Sequence, residues 1–250
     1  MNKLVLITGA GRGIGLSIAK TLAQKKYEIA LLAKSPASIA FLRQHDAFKK
    51  EKTSVWNVDL ADREAVQSFI RAWDKPLWGI VNNAGIVRTM MLTESGNDPW
   101  ESILHTNLEA PYQLVKGLLP HLTHPGRIIN IASQLGEEGR AGYSAYCASK
   151  FGLIGMTKCW AKELGSLGIT VNAVCPGWVE TEMSAQDIQR MAQEHQTTPE
   201  DFYRSVCLPL ELKRFNSTEE VANLVSFLLS VEASGITGRD WLMQTIWNEE

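Results

Sequence analysis

Leu4-Val-Leu-Ile-Thr-Gly-Ala-Gly-Arg-Gly-Ile-Gly15 decides the fold. The apolar run Leu4–Ile7 has the continuity of a parallel strand covered on both faces. Thr8–Gly15 then supplies the small residues of a tight turn, and helical periodicity begins at Ile14. Glycines let pyrophosphate oxygens approach main-chain N–H groups, and the helix N-terminus adds free donors and partial positive charge. A glycine-rich turn alone says little. Lying between a strand and a helix, it specifies the phosphate-binding turn of a dinucleotide fold. Gly9, Gly11, Arg12, Gly13, Ile14 and Gly15 are therefore candidate cofactor residues.

Outward from this turn, short apolar runs alternate with longer helix-periodic stretches. Strands are expected at Leu4–Thr8, Glu28–Ala33, Ser54–Val58, Leu77–Val81, Arg127–Ala132, Thr170–Val174 and Asp240–Met243. Helices are expected at Ile14–Gln24, Ala37–Gln44, Arg63–Ala72, Trp100–Leu122, Ala145–Leu164 and Glu219–Leu229. Such alternation implies an α/β architecture, a doubly wound parallel sheet with helices on both faces. No repeat or linker divides the chain, so residues 1–250 read as one domain. Residues 182–209 differ: two polar helical pieces, broken near Thr197–Pro199, form an insertion of the kind that serves as a substrate flap.

The chain has 250 residues, enough for one large core, and a formal net charge of −2. That charge gives no basis for nucleic-acid or membrane-surface binding, so any anionic ligand needs locally placed cations. The 4 cysteines have no paired spacing and the 5 histidines no metal-binding pattern. Neither disulfides nor a metal is expected. Met1–Lys3 runs straight into the first strand, which is too short to span a membrane. The expected location is cytoplasmic.

The end of the second strand chooses between cofactors. NAD-binding versions carry a carboxylate there for the ribose hydroxyls. Here Ala33 and Lys34 stand instead, with Arg12 as a second cation. This favours NADP(H), whose 2′-phosphate the two cations can meet; NAD(H) is the alternative. Asp59, after the third strand, can accept from the adenine amino group or cap the next helix.

Tyr146 and Lys150 lie four residues apart on a predicted helix and share one face. Ser133 follows the apolar run Ile128–Ala132, at the carboxyl end of a strand, where ligands bind in open parallel sheets. The fold can thus bring the three together. A free tyrosine has a pKa near ~10, too high for an efficient acid/base at neutral pH. An ammonium ~4 Å away is worth roughly 4 kcal/mol at an effective dielectric of about 20, which would bring Tyr146 to about neutrality. Ser133 can donate to a developing oxyanion. Pro111 lacks the N–H that would bond the Asn107 carbonyl, so a kink and a relay water are expected at Asn107.

Taken in order, Thr8–Gly15, Asn82-Asn-Ala-Gly85, Asn107, Ser133, Tyr146–Lys150 and Pro176-Gly177 resemble the motif set of the short-chain dehydrogenase/reductases over roughly residues 1–240. The resemblance implies an NADP-preferring oxidoreductase, a homotetramer or homodimer, and hydride transfer from the cofactor's pro-S face. It implies Ser133 as oxyanion donor, Tyr146 as acid/base, Lys150 as ribose holder and tyrosine activator, and Asn107 as relay. It implies cofactor support from Asn83, Ala84 and Gly85, with Pro176, Gly177, Val179 and Thr181 at the nicotinamide.

The chain also departs from the family. Carrier-dependent acyl reductases often carry cations where Leu167 and Leu122–Pro125 stand here, which weakens the case for an acidic carrier partner. The C-terminal stretch Trp241–Glu250 replaces the usual Asp-Gly-Gly ending, and Trp241 and Trp247 read as packing residues. Leu135, Tyr143, Trp178 and Met183 are the expected substrate contacts, mostly apolar or aromatic. The expected reaction is reduction of a ketone or aldehyde, or its reverse. Alternatives are a 3-oxoacyl-thioester reductase, a non-catalytic NADP sensor and another enzyme on the scaffold. A sensor would be expected to lose Tyr146 or Lys150, and the short chain argues against an epimerase or dehydratase.

Overall fold

The computed structural model describes residues 3–48 and 53–243. Its strands are β1 (Leu4–Thr8), β2 (Glu28–Ala33), β3 (Thr53–Asn57), β4 (Leu77–Asn82), β5 (Leu122–Ile131), β6 (Ile169–Cys175) and β7 (Asp240–Leu242). They form one seven-stranded parallel sheet in the order β3-β2-β1-β4-β5-β6-β7. The order reverses between β1 and β4, and the crevice outside the carboxyl ends of the strands opens there.

Side-chain alternation along the strands fills two cores. Val5, Ile7, Ile29, Leu31 and Ile129 face α1 (Gly13–Gln24) and α9 (Thr218–Leu229), meeting Ile18, Leu22, Val221 and Val225. Leu4, Leu6, Ala30, Ile80 and Ile128 face the other way, onto α3 (Arg63–Ala72), α5 (Ala110–Leu118) and α6 (Ser144–Leu164). Both faces are covered, which is why β1 and β6 are buried along their whole length.

Three local features position the site. First, the predicted helix Trp100–Leu122 is not continuous. It consists of α4 (Trp100–Leu104), a π-helical turn (His105–Glu109), α5 and a 3-10 turn (Leu119–His121). Residue Leu122 already belongs to β5. Second, a buried polar chain ties α6 to the sheet: Asn82 Nδ2 donates to Asn130 Oδ1 at 2.8 Å, and Asn130 Nδ2 donates to Thr157 Oγ1 at 2.8 Å. Third, the predicted flap segment forms α7 (Glu182–Glu194) and α8 (Pro199–Cys207). Its two stems are joined, since Asn216 N–H donates to Trp178 O and Glu180 N–H to Asn216 O, both at 2.9 Å.

At the C-terminal edge, Trp241 packs against the core on the α1/α9 side, and Asp240 pairs with Lys158 of α6 at 2.6 Å. Trp247 lies outside the described residues. No described helix is long and apolar enough to cross a membrane. Among the described residues, no group of His, Cys, Asp and Glu is placed to hold a metal.

Candidate active site

A cleft of about 930 Å³ runs along the carboxyl ends of the strands, from the glycine turn to Tyr146 and the flap. Its first wall is the turn itself. Gly9 and Gly13 hold φ of 65° and 51°, a left-handed backbone that L side chains rarely adopt. Gly15 has another reason: a Cβ there would sit 2.4 Å from Gly9 O and from Asn83 Nδ2. Gly11, Arg12 and Ile14 also line the cleft. Thr8 Oγ1 accepts from the N–H groups of Asn83 and Ala84 at 2.9 and 3.0 Å, and Asn83 Nδ2 donates to Thr8 O at 2.8 Å. The glycine turn and the chain after β4 are thereby stitched together.

Lys34 and Asp59 stand at the rim of this half, Nζ 4.0 Å from Oδ1. Arg12 reaches Glu182 of α7 at 3.3 Å. Both pairs are largely exposed. The two cations expected at a 2′-phosphate are therefore at the same end of the cleft, each beside a carboxylate. Ser35 and Ser38 line the wall between them. Asp59 does not cap α3: Asp62 does, accepting from Glu64 and Ala65 N–H, while Asp59 Oδ1 accepts from Ala61 N–H at 3.0 Å.

At the other end, Ser133 follows β5, and Tyr146 and Lys150 project from α6 into the same cleft. Lys150 is 4 % exposed, and its Nζ donates to Ile131 O at 2.8 Å and lies 5.6 Å from the Tyr146 ring centre. Burial pushes the Tyr146 hydroxyl up to about 12, opposed by a hydrogen bond with Ser133. Burial also pushes Lys150 down to about 8. This corrects the expectation of a tyrosine brought to neutrality by a close ammonium. Lys150 keeps its charge while donating to a main-chain carbonyl, and desolvation of the phenolate outweighs it.

Asn107 sits in the π-helical turn and is 1 % exposed. Its Oδ1 accepts from Ile86 N–H at 2.8 Å; its Nδ2 donates to Ile86 O at 2.9 Å and to Ser149 Oγ at 3.2 Å. The kink at Asn107 is thus a widened turn, with Ala110 N–H reaching back to His105 O. Pro111, the second residue of α5, offers no N–H to the carbonyls of that turn, which suits the widening. Gly85 faces this cluster: a Cβ there would lie 3.4 Å from Asn107 Oδ1 and 3.5 Å from Lys150 Nζ.

Leu135, Tyr143, Trp178 and Met183, the expected substrate contacts, all line the cleft, as do Pro176, Gly177, Val179 and Thr181. Trp178 stacks on Phe215, ring centres 5.0 Å apart. Sequence reading missed Arg140 and Asp187, which line the same cleft. It also missed Ser149 and Thr8, whose hydroxyls organise the two halves. A threonine ending an otherwise apolar strand was the available signal for Thr8; nothing comparable marked the others.

The family model described as short chain dehydrogenase matches residues 3–192. The 3-oxoacyl-(acyl-carrier-protein) reductase FabG of Salmonella typhimurium is 35 % identical over 238 residues, covering 94 % of this chain and 93 % of that one. Two solved structures share the fold. An actinorhodin polyketide ketoreductase with NADPH is 28 % identical with a TM-score of 0.89, covering 97 % of this chain and 95 % of its own. A blue fluorescent protein from a metagenomic library, in complex with NADPH, is 32 % identical with a TM-score of 0.82, covering 96 % of each chain.

Proposed function

The chain belongs to the short-chain dehydrogenase/reductase family, and we propose that it moves a hydride between NADP(H) and a ketone, an aldehyde or the corresponding alcohol, with Tyr146 as acid/base. One observation carries this reading: Ser133, Tyr146 and Lys150 share one cleft with a glycine turn shaped for a dinucleotide.

When bound, the nicotinamide cofactor supplies the hydride. The chain's own residues handle the proton. Ser133 Oγ–H donates to the carbonyl oxygen and stabilises the charge that develops there. Tyr146, kept protonated by burial at neutral pH, holds the proton that this oxygen takes up. Lys150, charged below about pH 8, stabilises the phenolate that remains. Asn107 fixes Ile86 and Ser149 behind them.

The residues present fit the cofactor. The turn between β1 and α1 sets Gly9, Gly11, Gly13 and Gly15 on the wall of the cleft at a helix N-terminus, and the missing Cβ of Gly85 leaves space in front of Lys150. Gly9, Gly11, Gly13, Ile14 and Gly15 would hold the pyrophosphate, with Asn83, Ala84 and Gly85 along one side. Arg12 and Lys34 would meet the 2′-phosphate, and Asp59 the adenine. The NADPH named with both solved neighbours supports that choice.

The proposal extends to one domain with a substrate flap at 182–209, a homotetramer or homodimer, and a cytoplasmic location. A second reading, a 3-oxoacyl-thioester reductase, has a specific observation in its favour: the Salmonella typhimurium relative is a 3-oxoacyl-(acyl-carrier-protein) reductase. NADPH oxidation by the wild type and Tyr146→Phe, across ketones, aldehydes and 3-oxoacyl thioesters, tests both. No turnover on any of them would leave a cofactor-binding protein without this activity. A large gain on a carrier-bound acyl group, suppressed by salt, would favour the second reading and restore a carrier partner.

A further inference from the structure

Charge at the substrate end of the cleft is unequally met. Asp187, on α7, lies 3.6 Å from Arg190, and Arg190 also pairs with Glu194 at 2.7 Å. Burial raises the Asp187 carboxyl; Arg190 opposes that rise most, and Arg140 opposes it from further off. Arg140, in the loop between β5 and α6, lines the same end, is exposed, and makes no ion pair among the described residues.

Arg140 is nevertheless held in place. Its guanidinium carbon lies 5.3 Å from the centre of the Tyr143 ring. Tyr143 is buried, and its ring packs edge-on against Tyr146, centres 6.5 Å apart at 72°. A fixed cation therefore stands one aromatic ring away from the acid/base.

We propose that Arg140 reads a carboxylate on the substrate, so that the preferred substrates are oxo acids, carbonyl compounds with a carboxylate a short chain away from the reacting carbonyl. The inference rests on the carbonyl reading of the same site. A guanidinium stacked on a ring keeps its in-plane N–H groups free, and these match a carboxylate with two parallel hydrogen bonds. At the rim, the carboxylate keeps part of its hydration, so the desolvation cost is small. Of the other charges facing this end, Asp187 is paired with Arg190, and Lys150 is buried with its Nζ donating to Ile131 O. A neutral chain would fill the space beside Leu135, Trp178 and Met183 but leave the guanidinium N–H groups of Arg140 without an acceptor among the described residues.

The test uses wild type, Arg140→Gln and Arg140→Lys, with NADPH, on unbranched oxo acids of increasing length and on their methyl esters. The wild type is expected to prefer the acid. The acid-to-ester ratio of kcat/KM should fall about tenfold in Arg140→Gln, the low end for a charge-assisted pair, and fall less in Arg140→Lys, which keeps the charge but loses the two-point geometry. Added salt should lower the wild-type ratio. A ratio unchanged by Arg140→Gln overturns the inference while both compounds are still reduced. If neither compound is reduced, the oxidoreductase reading fails separately. Calorimetric binding of the saturated carboxylic acid then decides: an affinity about tenfold weaker in Arg140→Gln supports the carboxylate site, and equal affinities overturn it.

Discussion

The side chain of Asn107 closes a ring with the main chain of Ile86, accepting from its N–H at 2.8 Å and donating to its carbonyl at 2.9 Å. A segment after β4 is thereby held against a π-helical turn twenty-one residues further along the chain. Removing the carboxamide leaves both main-chain groups without partners, at roughly 1–3 kcal/mol. Asn107→Ala should lower Tm and turnover together. Pro111→Ala should retain the π-helical turn and near-normal turnover, because the ring holds the turn from outside. A crystal structure of Pro111→Ala with a regular α-helix through residue 107 would show that proline, not Asn107, sets the kink.

Tyr146→Phe removes the proton and keeps the ring. Turnover should fall at least about a hundredfold, with cofactor affinity retained. Near-normal turnover in this variant would exclude Tyr146 as the acid/base.

The pH dependence has a defined sign. Lys150 is pushed down to about 8, so its charge is present below that pH and lost above it. Tyr146, pushed up to about 12, stays protonated across the same range. For carbonyl reduction, kcat/KM should be level through neutrality and decline as pH rises past about 8. Lys150→Arg keeps the charge and should move that decline upward. A decline that begins below neutrality, or one unmoved by the arginine, would assign it to another group.

We propose that two exposed cations set cofactor choice. Charge-assisted hydrogen bonds contribute roughly 1.5–3 kcal/mol each, and tenfold is about 1.4 kcal/mol. With Lys34 and Arg12 both engaged, NADPH should bind on the order of a hundredfold more tightly than NADH, and Lys34→Asp should reverse much of this. Equal dissociation constants in the wild type would remove both residues from 2′-phosphate recognition.

Two glycines separate folding from binding. A Cβ on Gly15 would lie 2.4 Å from Gly9 O, and backbone must move to admit it. A Cβ on Gly85 would meet Asn107 and Lys150 at 3.4 and 3.5 Å, ordinary contacts. Gly15→Ala should therefore lower Tm, whereas Gly85→Ala should keep Tm and weaken NADPH binding by occupying the space in front of Lys150. Thermal denaturation with and without NADPH distinguishes the two.

The strands were legible because both faces of the sheet are covered. Burial on two sides makes the central strands apolar runs, and the bounds read for β1 and β2 coincide with those observed, whereas β3 and β7 at the edges are only partly buried. Local periodicity was enough to put Ser133 at a strand end and Tyr146 and Lys150 on one helix face; what singled these three out was the resemblance to the family's ordered motif set. The π-helical turn was not, since the bonds holding it come from Ile86. Nor was the state of Tyr146: spacing gives the neighbour four residues on, but burial depends on every element packed around α6. Arg140 and Asp187 were hidden because a loop and an insertion meet only in three dimensions.

The paired stems of the insertion have a consequence for how this fold can diversify. Main-chain bonds from Asn216 to Trp178 and Glu180 form a neck, so everything from Thr181 to Phe215 leaves and returns through one fastened doorway. Closing a loop costs entropy that grows only slowly with its length, and here closure is completed at the neck, not by the contents. Ser133, Tyr146 and Lys150 all lie outside that doorway. The segment behaves as an exchangeable cassette: its helices can be lengthened, replaced or recharged to admit a different molecule while the proton machinery beneath stays in register.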